Sequence, residues 1–274
     1  MSPKKFFYCL AKHLRNDTVQ RRGLGHARFS IQTARNRLRA AGMKSRKARR
    51  KPELKQMHRD ARLLWAQQHR RWTQAQWRNC LFTDESRFSL VNDDQTRRVW
   101  RRRGENAYED RFLNRRELFG GGGILVWGGI THDAKTELMI IQGNLNGMRY
   151  TNEILDGPVR LFAGAMGQND MIFVDDNARP HRNHIANQFL DENSINRMEW
   201  PAKSPDLNPI ENVWGLMKRQ LNRRLTNEHT LVDLRAMVLE EWERIPLQTI
   251  RRCISSMRRR AEAVIAADGG HTRY

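Results

Sequence analysis

The spacing of apolar and polar positions changes once along the chain, near Asn79. Before that point the rhythm is helical. Ser30 stands as an N-cap for a short helix over Ile31–Ala41, with Leu38 as its inward anchor and Gly42 as its stop. Over residues 53–70, Leu54, Met57, Ala61, Leu64 and Gln68 recur about every 3.5 residues with Trp65 beside them, which predicts an amphipathic connector helix packed on that face. Trp72 and Trp77 follow and read as core rather than as a stacking platform.

After Asn79 strands take over. Cys80–Leu90 alternates, Arg97–Arg102 is a second short strand, and Ile124–Ile130 with Glu137–Gln142 makes a hairpin-like pair. Arg149–Phe162 reads as helix, the fully apolar run Met171–Val174 as a central buried strand, His184–Leu190 as helix and Arg197–Trp200 as a short strand. Helices over Leu231–Ile245 and Leu247–Ala267 close the chain, the last ended by Gly269 and Gly270. Three leading strands followed by alternating helices and strands predict an α/β fold with a mixed sheet. Gly120–Gly123 precede a strand and no Lys-Ser/Thr follows, so they read as a flexible lead into a hairpin rather than a phosphate loop.

Charge adds a partner to this picture. The 274 residues carry a formal net charge of +20. Residues 1–79 hold 22 Lys and Arg against 3 Asp and Glu, and the remainder is almost balanced. A basic polyanion-binding segment joined to a neutral domain follows, with nucleic acid as the polyanion ahead of a membrane surface. The candidate contacts are Arg35, Arg37 and Arg39 on the first helix, which reads equally as a recognition helix of helix-turn-helix type or as an ordinary basic surface helix, and Lys44, Arg46, Lys47, Arg49, Arg50 and Lys51 in the run that follows. Lys44–Lys51 reads equally as a nuclear import signal, which would place the chain in the nucleus. No stretch approaches the ~20 apolar residues of a spanning helix and residues 21–51 lack a broad apolar face, so no membrane partner is expected. Cys9, Cys80 and Cys253 are far apart and unpatterned, which fits a reducing compartment and argues against a zinc site.

Three acidic positions carry candidate chemistry. Asp84 sits within a strand-like segment, where burial without a partner is costly; the alternative is a side chain facing solvent. Asp175 and Asp176 follow the apolar strand directly, where α/β folds place ligands, or where a plain turn would place Asp and Asn; successive residues face opposite ways, so only one of the two aims easily at a given site. Glu211 falls at the third position of a helix capped by Asn208 and opened by Pro209, with Ile210, Val213, Trp214, Met217 and Leu221 packing inward; it is either a capping-box member or a carboxylate reaching the sheet's end. Three carboxylates without His or Cys ligands make a hard-oxygen site suited to Mg²⁺ or Mn²⁺. Two such ions suit in-line displacement at a phosphodiester. His181 and His184 read as surface or supporting residues rather than metal ligands.

Leu81–Leu90 (LFTDESRFSL), Val174–His181 (VDDNARPH), Trp200–Trp214 (WPAKSPDLNPIENVW) and the closing GGHTRY resemble the Tc branch of the Tc/mariner superfamily of DDE-type transposases, over about residues 25–274. The family's second and third carboxylates are separated by thirty-four residues, as Asp176 and Glu211 are, so the resemblance selects Asp176 over Asp175. It makes Asp84, Asp176 and Glu211 the catalytic and metal-binding trio, and Asp206 a recurring position that is not a ligand.

The resemblance further implies an RNase H-like mixed sheet flanked by helices over 79–274, a linker helix over 53–78, and a partial helix-turn-helix-like DNA-binding segment over 1–52. It implies hydrolytic cleavage at element ends and attack of the released 3′-hydroxyl on target DNA at TA. It also implies homodimers on DNA that join two inverted repeats, with a clamp-like loop around Arg97–Gly122. Met1–Asp17 match the family's first helix-turn-helix module poorly, so the chain is expected to be N-terminally shortened or its start misassigned. A catalytically idle or host-recruited DNA-binding descendant is the alternative.

Overall fold

In the computed structural model, residues 30–47, 49–90, 98–105, 113–114, 122–167, 170–226 and 228–274 are described. The chain forms two compact units, one from Met1–Glu53 with Asp94–Glu117, the other from Leu54–Asp93 with Leu118–Tyr274.

The first unit holds α1 (Ile31–Ala40), β1 (Met43–Lys47) and β2 (Arg49–Arg50). Ser30 caps α1 by accepting from the Thr33 N–H, and Gly42 turns the chain at φ +75°. The chain then enters the second unit through α2 (Gln56–His69), α3 (Gln74–Arg78) and β3 (Cys80–Ser89). It returns to the first unit for β4 (Arg98–Arg102) and β5 (Leu113–Asn114). β4 pairs antiparallel with β1 and β5 pairs parallel with β2. Ala34 and Leu38 of α1 pack with Met43 and Trp100, one face of the β1–β4 ribbon.

The second unit continues with β6 (Gly123–Ile130), β7 (Met139–Ile141) and a long helical segment. That segment comprises α4 (Gly147–Arg149), a π-helix (Tyr150–Val159) and α5 (Arg160–Met166). The sequence predicts a plain helix here. Pro158 lacks an N–H and Gly157 leaves helical angles, which breaks the ladder inside it. There follow β8 (Ile172–Val174), a 3₁₀ turn (Arg179–Arg182), α6 (His184–Glu192) and β9 (Asn196–Arg197). The helices α7 (Ile210–Arg224), α8 (Leu231–Glu243), α9 (Leu247–Ile254) and α10 (Met257–Ala266) complete it. The single closing helix expected over Leu247–Ala267 is two, parted at Ser255–Ser256, where the Ser256 hydroxyl donates to the Cys253 carbonyl. Among the described residues no helix is long and apolar enough to cross a membrane.

The five-stranded sheet runs β7-β6-β3-β8-β9. Its β7-β6-β3 half is antiparallel and β8 and β9 join in parallel, which is the mixed sheet the sequence predicts. Period-two alternation divides its side chains between two cores. Phe82, Phe88, Val126, Ile130 and Val174 meet Trp65, Trp77, Trp214, Trp242 and the C-terminal helices on one face. Leu81, Trp127 and Phe173 meet Tyr150, Ile154, Leu155 and Leu190 on the other.

One predicted face is wrong. Met57 and Leu64 of α2 are exposed, and the buried stripe is Arg62, Trp65 and Ala66. Apolar spacing alone misplaced the helix because its innermost side chain is an arginine whose charge is matched inside the fold, by Asp206 at 2.7 Å.

Candidate functional site

Strand register decides which acidic residues meet. Phe82 of β3 pairs with Val174 of β8 in a parallel ladder. Asp84 and Asp176 each lie two residues further on, so they continue on the same face, toward the C-terminal helices. Asp175 has the opposite parity. It is buried on the Tyr150 face, accepting from the Tyr150 hydroxyl at 3.0 Å and from Arg182 Nη1 at 2.8 Å.

The third carboxylate comes from α7. Pro209 already has helical angles, and the Asn208 carboxamide oxygen accepts from the Ile210 N–H at 3.4 Å, a cap one residue ahead of the helix. The Asn208 amide group donates to the Thr83 carbonyl at 3.0 Å, which pins the helix start to β3 beside Asp84. The Thr83 hydroxyl donates to the Val174 carbonyl at 2.8 Å, tying β3 to β8 at the same level.

Asp84, Asp176 and Glu211 accordingly line one cavity of about 330 Å³, together with the segment Trp200–Pro205. Asn177 holds that wall by donating to the Trp200 carbonyl at 2.7 Å, and Lys203 in it has a left-handed φ of +57°. Gly128, opposite Asp84 on β6, lets α7 close in: a Cβ there would stand 3.0 Å from the Trp214 ring.

The cavity concentrates negative charge. Burial, and then the charges of Glu211, Glu85 and Asp176, push the Asp84 carboxyl well above the usual carboxylate range. Trp214 Nε1 donates to Asp84 Oδ2 at 3.2 Å. Asp176 shifts the other way. Partial desolvation works against its charge, but His181, the Ala178 N–H and Arg182 outweigh it and hold the carboxyl below its usual range. His181 is buried between two acids, Nδ1 at 2.8 Å from Asp176 and Nε2 at 3.3 Å from Glu85, and stacks on Tyr150. It supports the carboxylates, as expected, while His184 is exposed.

In the sequence Glu85 and Arg182 carry no assignment, while Asn208 reads only as a helix cap and Trp214 only as an inward-packing residue. Parity would have put Glu85 with Asp175, but no spacing announces the His181 contact. Among the described residues no group of three or more His, Cys, Asp or Glu is preformed as a metal cage. The donor chemistry still fits a hard divalent cation, since the mutual repulsion of carboxylates around Asp84 is what such a cation relieves.

Of the DNA-contact candidates, Arg35, Arg37 and Arg39 are exposed on α1 and Lys44 and Arg46 are exposed on β1. Lys51 is half-buried. The side chains of Lys47, Arg49 and Arg50 fall outside the described residues, as does most of the loop around Arg97–Gly122. The ribbon adds a residue that sequence reading missed: Arg101 of β4 pairs directly opposite Lys44.

A mixed sheet with one carboxylate midway along β3, one just past the end of β8 and one on a facing helix is the architecture of a polynucleotidyl-transfer enzyme. The sequence profile of the DDE superfamily endonucleases matches residues 79–232, and a second profile, described as transposase, matches residues 11–71. The chain is 34% identical over 247 residues to the Tc1 transposase of Caenorhabditis elegans, covering 89% of this chain and 88% of that one. It is 34% identical over 248 residues to the Tcb1 transposase of Caenorhabditis briggsae, with the same coverage.

Its fold is similar to that of the Mos1 transposase paired-end complex with left transposon end, at TM-score 0.65 and 18% identity over 89% of this chain and 72% of that one. It is also similar to the catalytic domain of Mos1 mariner transposase, at TM-score 0.61 and 15% identity over 81% and 99%. The chain belongs to the Tc branch of the Tc/mariner transposases, and it is a DDE-type cut-and-paste DNA transposase with an RNase H-like fold.

Proposed function

We propose that Asp84, Asp176 and Glu211 are the catalytic carboxylates and that together they hold divalent cations, Mg²⁺ or Mn²⁺, as a pair. The observation that carries this reading is convergence: three acids from β3, the end of β8 and α7 line one cavity. When bound, the cations would supply charge neutralisation at the phosphodiester and activate the attacking oxygen. The chain's own residues do the rest. Asp176, kept ionised by His181, offers a charged ligand at neutral pH. Trp214 orients Asp84.

The reaction is hydrolytic cleavage at the element's inverted-repeat ends, followed by attack of the released 3′-hydroxyl on target DNA at TA. DNA of transposon ends is held by α1 and the β1–β4 ribbon, through Arg35, Arg37, Arg39, Lys44 and Arg46, with Lys47, Arg49, Arg50 and Lys51 in the same run. The working form is a homodimer on DNA, and the basic run Lys44–Lys51 directs the protein to the nucleus. Mos1 complexes described with Mn and with Mg support the choice of cation.

The test is nicking of inverted-repeat DNA by purified protein. Cleavage is expected only with Mg²⁺ or Mn²⁺ and is abolished in Asp176→Asn, whose folded sheet is checked by circular dichroism. Cleavage retained in that variant sinks the assignment. DNA binding without any cleavage by the unmutated chain favours an idle, DNA-occupying protein instead.

A further inference from the structure

The back of the cavity wall is bolted to two distant parts of the chain. Asp206 is buried, and Arg62 of α2, wholly buried, donates to its two oxygens at 2.7 and 2.8 Å. Arg62 Nε also donates to the Gly269 carbonyl at 2.8 Å, and its Nη2 to the Gly270 carbonyl at 2.9 Å. Thr272 of the closing GGHTRY donates its hydroxyl at 2.8 Å and its N–H at 3.2 Å to Asp206 Oδ2.

Arg260 of α10 completes the latch, donating to the Asp206 carbonyl at 2.7 Å and to the Asn212 side-chain oxygen. Asp206 stands four residues ahead of α7 and Asn212 within its first turn, directly after Glu211. A bidentate pair fixes orientation as well as distance. Apolar residues of similar volume would often pack such a site at least as stably, so the ionic latch contributes direction more than stability.

We propose that Asp206, Arg62 and Thr272 are positioning residues: they set the angle at which α7 delivers Glu211 to the cavity, and through it the affinity of the site for a divalent cation. This rests on the reading of Asp84, Asp176 and Glu211 as cation ligands. Two of the latch's anchors, α2 and the C-terminal tail, lie outside the strands that carry the two aspartates. The latch therefore moves Glu211 relative to Asp84 and Asp176 rather than all three together.

Mn²⁺ binding to the full chain, followed by the electron paramagnetic resonance of the free ion, tests this alongside thermal melting of the metal-free protein. Thr272→Val keeps the shape and the backbone N–H and removes one hydroxyl donor. About tenfold weaker Mn²⁺ binding is expected, with the melting midpoint lower by the few degrees that a lost hydrogen bond to a charged group costs, and with Thr272→Ser restoring both. Asp206→Asn shifts binding further in the same direction. If it fails to fold, the Thr272 pair decides alone. Unchanged Mn²⁺ binding in Thr272→Val overturns the proposal, as does binding weakened just as much in Gly143→Ala, which lowers the midpoint away from the latch. Asp84→Asn in the same titration checks the underlying reading separately: Mn²⁺ binding that survives it puts the cation elsewhere.

Discussion

Trp214 donates its indole N–H to the Asp84 carboxylate at 3.2 Å, across 130 residues of sequence. The bond joins the α7 helix, which carries Glu211, to the β3 strand, and Trp214 is itself fixed by stacking on Trp242 with ring centroids 5.2 Å apart. Trp214→Phe keeps an aromatic ring in the core and removes only the donor. A hydrogen bond to a charged group contributes about 1.5–3 kcal/mol net, so single-turnover nicking at limiting Mg²⁺ should slow by about tenfold or more. The metal-free Asp84 carboxyl should titrate higher still, since the lost bond favours its charged form. A nicking rate equal to that of the unmutated chain would contradict this role.

His181 gives the metal-free protein a pH signature. Burial opposes its charge, but hydrogen bonds to Asp176 and Glu85 and the surrounding acids raise its pKa from 6.5 to about 10. A cation whose folded pKa is raised stabilises the fold fully below its unfolded pKa, and that contribution is lost as pH climbs through the folded value. Stability should therefore fall between about pH 6.5 and 10 in the unmutated chain, and His181→Gln should lack this part of the slope. Urea midpoints at several pH values, taken with chelator present, measure it. Parallel pH profiles for the two proteins would refute the assignment.

Gly269 is required by geometry at the C-terminal latch. It has a φ of +71°, and a Cβ there would overlap the Arg59 carbonyl of α2. Gly269→Ala should cost roughly 1–3 kcal/mol for the backbone alone, with the clash added. That corresponds to a melting midpoint lower by about 5 °C or more in a unit of this size. Gly143, at φ +66° with open space around it, is the control: Gly143→Ala carries the backbone cost without the clash and should lower the midpoint less. Equal losses at the two positions would remove the close approach from the account.

Much of this was legible in the sequence, and the exceptions share a cause. Alternation in Cys80–Leu90 and the apolar run Met171–Val174 predict β3 and β8, because half-buried and fully buried strands impose those patterns directly. Thirty-four residues between Asp176 and Glu211, together with the surrounding motifs, point to the acids that the cavity gathers. What escaped were polar and charged groups brought face to face by the fold. Arg62 breaks the apolar rhythm of its helix, and the reason is Asp206, 144 residues away. The same holds for Glu85 with His181 and for Lys44 with Arg101, pairs no local spacing announces.

That last pair makes a prediction of two opposite signs. Lys44 and Arg101 are directly opposed across the β1–β4 ribbon, with Lys44 exposed and Arg101 half-buried and donating to the Glu105 carbonyl. Like charges facing each other on a ribbon destabilise it in the absence of an anion. If the ribbon tracks the phosphate backbone, that repulsion is relieved when DNA binds. Lys44→Ala should then reduce the slope of log affinity against log salt by about 1, the loss of one phosphate contact, and do so uniformly across DNA sequences. The same variant should leave the free protein equally or slightly more stable, because a repulsive partner is gone. Fluorescence-anisotropy titrations at several salt concentrations, paired with thermal melts without DNA, read both signs at once. An unchanged salt slope would remove the ribbon from the DNA-binding surface, and a large drop in stability would mean that Lys44 holds the fold rather than the nucleic acid.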